Sequence, residues 1–376
     1  MTDRISRFLR EQQPETPCLV IDLEVVEDNY RRLRQLLPQA KVFYAVKANP
    51  AQPILTRLAG LGSNFDTASR GEIELVLGTG VPAERVSFGN TIKKERDIAW
   101  ATQQGVRLFA FDSEAELQKL ARSAPGAHVF CRVLVDSVGA EWPLSRKFGC
   151  APEMAKDLLR KARQLGLDAY GVSFHVGSQQ NDVAAWDRAL GQVSDMFFAL
   201  VEEGIDLRMV NLGGGFPARY RSEIKPLEQY AEAVIAALVR HFGNRMPEVI
   251  IEPGRSMVGD AGIIQSEVVL ISRKSANDRK RWVYLDVGKF GGLAETMDES
   301  IKYRLRTPVD GGRVGPVVLA GPTCDSADIL YEKTDYRLPL ALKVGDKVEV
   351  MATGAYTSTY SSVAFNGFQP LKTYCI

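Results

Sequence analysis

The run Val42-Phe43-Tyr44-Ala45-Val46-Lys47-Ala48-Asn49-Pro50 carries a lysine where an apolar strand ends. β-Branched and aromatic residues in an unbroken run read as a buried strand, and Asn49-Pro50 breaks it. An ammonium at the end of such a strand is costly to desolvate. A lysine with a lowered pKa is a nucleophilic amine, and its usual partner is a carbonyl, giving a Schiff base. Taken alone, Lys47 reads as a side chain snorkelling out of a strand end. Two further stretches alter that balance. Gly213-Gly214-Gly215-Phe216-Pro217 lets backbone N–H groups converge on an anion, because no side chain blocks the approach. Glu252-Pro253-Gly254-Arg255 adds a carboxylate and a cation.

A phosphate loop facing an amine points to a phosphorylated carbonyl cofactor, and pyridoxal 5'-phosphate fits. That cofactor needs an acid on its pyridine nitrogen, a place suited to Glu252; the plainer reading pairs Glu252 with Arg255. His175, in Ser173-Phe174-His175-Val176-Gly177-Ser178, offers a flat ring to stack on the cofactor, and Ser178 a hydroxyl for the phosphate. Their plainer readings are a hydrogen-bonded core histidine and a loop hydroxyl. In Gly321-Pro322-Thr323-Cys324-Asp325, a thiol able to donate a proton adjoins a carboxylate able to receive a distal ammonium.

These residues need a scaffold. Strands are expected at 42–46, 64–67, 85–89, 107–111, 128–135, 169–175, 209–212 and 249–251. Helical stretches are expected at 71–77, 94–103, 113–121, 152–164, 183–203 and 226–241. Strand–helix alternation with polar residues at many strand ends (Lys47, Asp66, Asn90, Arg132, His175, Gly213, Glu252) predicts a (β/α)8 barrel, with an open doubly wound sheet as the alternative. Beyond Arg255, strands at 261–271, 281–287, 314–320, 347–351 and 369–374 follow without long helices. They predict an antiparallel β domain, which an early strand at 16–21 could join. The expected division is a barrel over 22–255, with 1–21 and 256–376 forming the β domain and contributing half of the active site.

The 376 residues carry a net charge of +1, with 45% hydrophobic and 25% charged side chains. That balance gives no reason to expect nucleic acid or an anionic membrane as partner. Residues 1–13 lack the apolar core of a signal peptide. Five scattered cysteines without metal spacing suggest reduced thiols and a cytoplasmic protein, and three histidines leave little for a metal site, so none is expected.

Six motifs in order, Phe43–Asn49, His175–Ser178, Gly213–Pro217, Glu252–Arg255, Gly321–Asp325 and Phe365-Asn366-Gly367-Phe368, closely resemble the ornithine/diaminopimelate/arginine decarboxylase family of alanine-racemase-like, pyridoxal phosphate-dependent enzymes. Gly-Pro-Thr-Cys-Asp resembles its ornithine decarboxylase branch. The resemblance implies that Lys47 holds the cofactor, that Asp66 lies near it and that Arg132 supports Asp66. It implies that His175 stacks on the ring, that Glu252 holds the nitrogen, and that Ser178, Gly214, Gly215, Arg255 and Tyr356 hold the phosphate. It further implies a homodimer with shared active sites. Cys324 and Asp325 would enter from the partner, Asp325 and Phe365 would meet substrate, and Lys147 would pair with Asp328 across the interface. A second substrate acid falls on Glu295, Asp298 or Glu299, of which Glu299 is taken. The reading is L-ornithine to putrescine and CO2, with L-lysine to cadaverine beside it. Diaminopimelate decarboxylation is the nearest rival, and a non-catalytic cofactor-binding decoy or regulator the rival of another class. Alanine racemase is less apt, because that branch carries an arginine near the pyridine nitrogen where this chain has Glu252.

Overall fold

The computed structural model describes residues 2–142 and 147–376. It divides into two compact units, Glu27–Pro217 with Ile224–Gly254, and Met1–Val26 with Ala218–Glu223 and Arg255–Ile376. Arg255 and the short excursion at 218–223 therefore belong to the second unit.

Strand β1 (Cys18–Ile21) lies in the second unit. The first unit then runs through β2 (Ala40–Ala45), β3 (Asn64–Thr67), β4 (Val86–Phe88), β5 (Leu108–Phe111), β6 (His128–Arg132), β7 (Ala140–Trp142), β8 (Asp168–Ser173), β9 (Ser178–Gln180), β10 (Met209–Asn211) and β11 (Glu248–Ile251). Eight of these close a parallel barrel in the order β10-β11-β2-β3-β4-β5-β6-β8, so the barrel expectation holds and the open sheet falls. Helices intervene at Gln52–Gly60, Arg70–Leu77, Glu95–Gln103, Glu114–Ser123, Pro152–Gln164, Ala185–Glu202 and Leu227–Phe242. Two starts show why they begin where they do: Ser69 and Ser113 each accept the N–H three residues on, satisfying a donor the helix leaves open. Phe43, Ala110, Phe130, Met209 and Ile250, from five strands, form one buried cluster. β7 and β9 pair as a small antiparallel ribbon that sequence periodicity did not reveal. Cys131 and Cys150, far from any CxxC spacing, bring their sulfurs to 3.6 Å as free thiols.

The second unit continues with β12 (Gly262–Ser272), β13 (Arg281–Leu285), β14 (Leu305–Arg306), β15 (Val314–Ala320), β16 (Ile329–Pro339), β17 (Lys347–Met351) and β18 (Lys372–Cys375). β1 joins this sheet between β12 and β18. The sheet is not wholly antiparallel: β13 pairs with β15, and β1 with β18, in parallel. Both parallel pairs are joined by long intervening segments, as parallel pairing requires. Helix Asp3–Gln12, read from sequence only as a charged terminus, buries Ile5 and Leu9 against Cys18, Val20 and Ile263. Among the described residues no helix is long and apolar enough to cross a membrane.

Backbone crowding fixes the barrel as firmly as its core does. A Cβ at Gly171 on β8 would stand 2.1 Å from the carbonyl oxygen of Met209 on β10. Strand separation would have to increase there, and overpacking of this kind costs about 1–3 kcal/mol or more. Gly171→Ala is therefore expected to lower the unfolding free energy by that amount, read from a lower urea midpoint; an unchanged midpoint would show that the β8–β10 seam relaxes freely.

Candidate active site

Lys47 does not lie on the strand. β2 ends at Ala45, and the lysine occupies a single 3-10 turn, Val46–Ala48. The turn is tied down at both ends: Ala45 N–H donates to the Pro253 carbonyl (3.0 Å), and the buried Tyr44 hydroxyl donates to the Asn49 carbonyl (2.8 Å). Ala48 leaves no room for a side chain at 254, where a Cβ would come within 2.9 Å of it. The lysine side chain is 44% exposed, which corrects the reading of a buried ammonium. Its Nζ instead sits 3.4 Å from Asp66 Oδ2.

Asp66 is buried on β3, and its Oδ1 has no hydrogen-bond partner among the described residues. Burial, then the charge of Glu252, push its carboxyl up to about 8, against the pull of Lys47. Gly89 makes the space: a Cβ there would fall 1.9 Å from Asp66 Oδ1. Arg132 closes β6, its guanidinium 5.3 Å from the Phe148 ring centre. Burial lowers its proton affinity while Glu252, Asp112 and Asp66 oppose that shift.

His175 follows β8. Its Nδ1 accepts the Gly177 N–H at 3.0 Å, which puts the proton of the neutral ring on Nε2. Burial, then Arg132 and Lys47, hold the imidazole well below its usual value, so the ring is uncharged at neutral pH. Ser178 begins β9 immediately after. The glycine run is dictated by close approach: Cβ atoms at Gly213, Gly214 and Gly215 would meet the carbonyl oxygens of Phe174 (2.4 Å), Glu252 (2.6 Å) and Gly177 (2.7 Å). Sequence reasoning missed Asn211, the last residue of β10, although it immediately precedes the Leu-Gly-Gly-Gly run. Its amide donates to Glu252 Oε1 at 2.5 Å, and its Oδ1 accepts the Gly213 N–H at 2.9 Å.

The features of this barrel end fit pyridoxal phosphate: a reachable amine, a buried carboxyl oxygen without a partner, an anchored acid and a side-chain-free backbone cradle. Residues 23–259 match the family described as "Pyridoxal-dependent decarboxylase, pyridoxal binding domain". The chain belongs to that family. It is 39% identical to a lysine/ornithine decarboxylase of Selenomonas ruminantium over 94% of this chain and 88% of that one. A crystal structure of a Vibrio vulnificus lysine/ornithine decarboxylase with cadaverine superposes with a TM-score of 0.88 at 31% identity, covering 99% of this chain and 97% of that one. Antizyme inhibitor 2 of Xenopus laevis is 34% identical over 98% of this chain and 83% of that one. The cofactor is pyridoxal phosphate, and the activity class is decarboxylation of a basic amino acid.

The second unit sorts its own acids. Arg255 forms a two-pronged pair with Glu295 (2.6 and 2.7 Å) and donates to the Tyr220 hydroxyl (2.6 Å). Its guanidinium lies 4.8 Å from the centre of the Tyr356 ring. Glu295 is thereby engaged. Glu299, taken from sequence as the substrate acid, is engaged with the backbone of β16. Its carboxylate accepts three backbone N–H groups, of Glu332, Lys333 and Thr334, and the Thr334 hydroxyl. Burial opposes that charge, but these donors outweigh it and hold the carboxyl at about 2. Within this chain Glu299 clamps the β16 segment. Asp298 is exposed, with φ at +51°.

Asp328, expected at an interface with Lys147, is 2% exposed. It accepts the N–H of Lys289 and both the N–H and hydroxyl of Thr323. Cβ atoms at Gly288 or Gly321 would strike its carboxylate. Within this chain its duty is to the β domain. Lys147 lies with its Nζ 5.0 Å from the Phe148 ring centre. Cys324 and Asp325 are exposed; the Cys324 N–H donates to Asn366 Oδ1, and Asp325 Oδ1 accepts the Ala327 N–H. Phe365 packs against Phe290 beside a cavity of 430 Å³ that also borders Thr323 and Phe368.

A carboxyl held at about 8 in the folded protein binds a proton that the unfolded chain has released near the ordinary carboxyl value. Its contribution therefore falls as pH rises between those two values. Cofactor-free Asp66→Asn should lose less stability than wild type between about pH 5 and pH 8, read from urea midpoints. Parallel pH curves for the two proteins would refute the assignment.

Proposed function

We propose that this chain decarboxylates L-ornithine to putrescine and CO2, accepts L-lysine as a second substrate, and works as a homodimer with shared active sites. The carrying observation is the exposed Cys324-Asp325 turn. Its carboxylate gives one oxygen to the Ala327 N–H and keeps acceptor capacity for an ammonium. The segment from Gly321 to Asp328 contains no lysine or arginine, so it favours a distal ammonium over the added carboxylate of diaminopimelate. Ornithine and lysine differ by one methylene, worth only about 1–3 kcal/mol of discrimination.

When bound, pyridoxal phosphate supplies the carbonyl that captures the amine and the electron-withdrawing ring that accepts the electron pair as CO2 leaves. Lys47 provides the amine that holds it. Glu252 holds a proton at the ring nitrogen, and the uncharged His175 ring covers a face. Ser178, Gly214 and Gly215 offer donors to the phosphate, with Arg255 and Tyr356 assigned there by the family resemblance. Cys324 of the partner subunit returns a proton to the substrate carbon, and Asp325 of the partner subunit binds the distal ammonium. With Glu295 and Glu299 engaged elsewhere, Asp298 becomes the second acid proposed to face substrate. The similarity to antizyme inhibitor 2 keeps a non-catalytic role as the second reading, one that the same assays separate.

CO2 release on ornithine, lysine, arginine and diaminopimelate tests the substrate. Ornithine is expected to have the highest kcat/KM with lysine next, and a preference for diaminopimelate or no turnover would overturn the reading. Borohydride should fix the cofactor to Lys47, and Lys47→Ala should lose both the covalent link and turnover. Lys47→Ala and Cys324→Ala, each poor alone, should together recover up to roughly a quarter of wild-type activity, since random exchange makes about half of all dimers heterodimers and each heterodimer carries one intact site of two. Absence of recovery after verified subunit exchange would sink the shared site. Asp298→Ala should lower kcat/KM for ornithine by roughly tenfold or more, whereas Glu299→Ala should lower stability with a smaller kinetic effect. The reverse pattern would restore Glu299 to the substrate.

A further inference from the structure

We infer that Asn211 is a positioning residue that fixes how Glu252 meets the cofactor. Asn211 closes β10 and is 1% exposed. The two ends of an amide are chemically opposite, and here the backbone decides which end faces where. The Gly213 N–H can only donate, so the atom it meets at 2.9 Å is the side-chain oxygen Oδ1 of Asn211. The –NH2 end must then face Glu252, and it does so at 2.5 Å from Oε1. The amide N–H donates there, so Oε1 is engaged as its acceptor. One oxygen of Glu252 is thereby spent on Asn211, and the other is left to serve the ring nitrogen.

The arrangement is rigid from both sides. Glu252 N–H donates to the Gly213 carbonyl at 2.7 Å, and Phe174 N–H donates to the Asn211 carbonyl at 3.0 Å. A Cβ at Gly214 would stand 2.6 Å from the Glu252 carbonyl oxygen. One residue thus ties together the acid, the first turn of the phosphate loop and the strand leading to His175. The charged groups around Glu252 are Asp66 from β3 and Arg132 from β6, with Lys47 beside Asp66. Asn211 is the neutral member, contributing direction without charge.

Asn211→Asp isolates this role. It preserves size and the acceptor for Gly213, but turns the donor into a second carboxylate oxygen facing Glu252. Two carboxyls at that distance share a proton. Difference infrared titration of the cofactor-free variant should show one more protonated carboxyl at neutral pH than wild type. That signal should vanish in Asn211→Asp with Glu252→Gln. In the pyridoxal phosphate-loaded variant, kcat/KM for the best-used amino acid of the panel should be low at neutral pH. It should climb roughly tenfold per pH unit until the shared proton is lost, a limb absent from wild type.

Asn211→Ala should weaken retention of pyridoxal phosphate by roughly tenfold or more, measured by fluorescence quenching, without the new limb. An Asn211→Asp protein with wild-type titration and pH profile would overturn the inference. Should that variant fail to fold, Asn211→Ala with wild-type cofactor affinity would overturn it equally. None of these readings depends on which basic amino acid is the substrate.

Discussion

Two carboxyl groups, Asp66 on β3 and Glu252 just after β11, sit on the two strands that flank β2 in the barrel, and the rest of the site is arranged around their mutual repulsion. Burial first, and then the charge of Glu252, raise the proton affinity of Asp66. Asp66 responds by keeping a proton up to about 8. Lys47 at 3.4 Å and Arg132 on β6 supply positive charge, and the backbone supplies space by omitting Cβ atoms at Gly89 and Gly214. A site with two acids and a neutral histidine suits a ligand that carries a protonated nitrogen beside one acid and an amine-reactive carbon beside the lysine. The uncharged His175 is consistent with the stacking proposed for it: a cationic ring there would repel the protonated nitrogen that Glu252 is proposed to hold.

Backbone geometry, more than side-chain chemistry, sets the precision of this cluster. Lys47 rides on one turn whose ends are pinned by Pro253 and Tyr44. The glycine run is not merely permissive. Each of its members lies so close to a neighbouring carbonyl that any side chain would force two strand ends apart. The same closeness keeps the N–H groups proposed to meet phosphate at a fixed distance from Glu252, which binding of a rigid planar cofactor requires.

The barrel was legible because its strands are short apolar runs ending in polar residues, and period and punctuation survive in a single sequence. The observed strands match the expected ones within about three residues, the usual uncertainty of element ends. What escaped was of two kinds. The β7–β9 ribbon joins strands far apart in sequence, and β16, although it pairs with the preceding β15, carries a mixed polar sequence without clear alternation. Asn211 and Asp328 owe their roles to hydrogen bonds made across the fold, and no local pattern reports those. Lys47 was misplaced on a strand because its apolar flanks continue through Val46 and Ala48, which are buried on a turn as thoroughly as they would be on a strand.

The acids of the β domain show how structural and functional carboxylates separate. Type and neighbourhood do not distinguish Glu295, Asp298, Glu299, Asp325 and Asp328 in the sequence; the number of donors each has already accepted does. A carboxylate with three or four donors has little capacity left, and drawing it to a ligand means abandoning backbone N–H groups, each a loss of about 1–3 kcal/mol if left buried and unpaired. Glu299 with four donors and Asp328 with three are held in this way, and Glu295 is held by the fork of Arg255. Asp325 has spent one oxygen on a turn N–H and is exposed. It can therefore take an ammonium without unmaking the fold, and a charge-assisted bond formed there adds to the structure instead of competing with it.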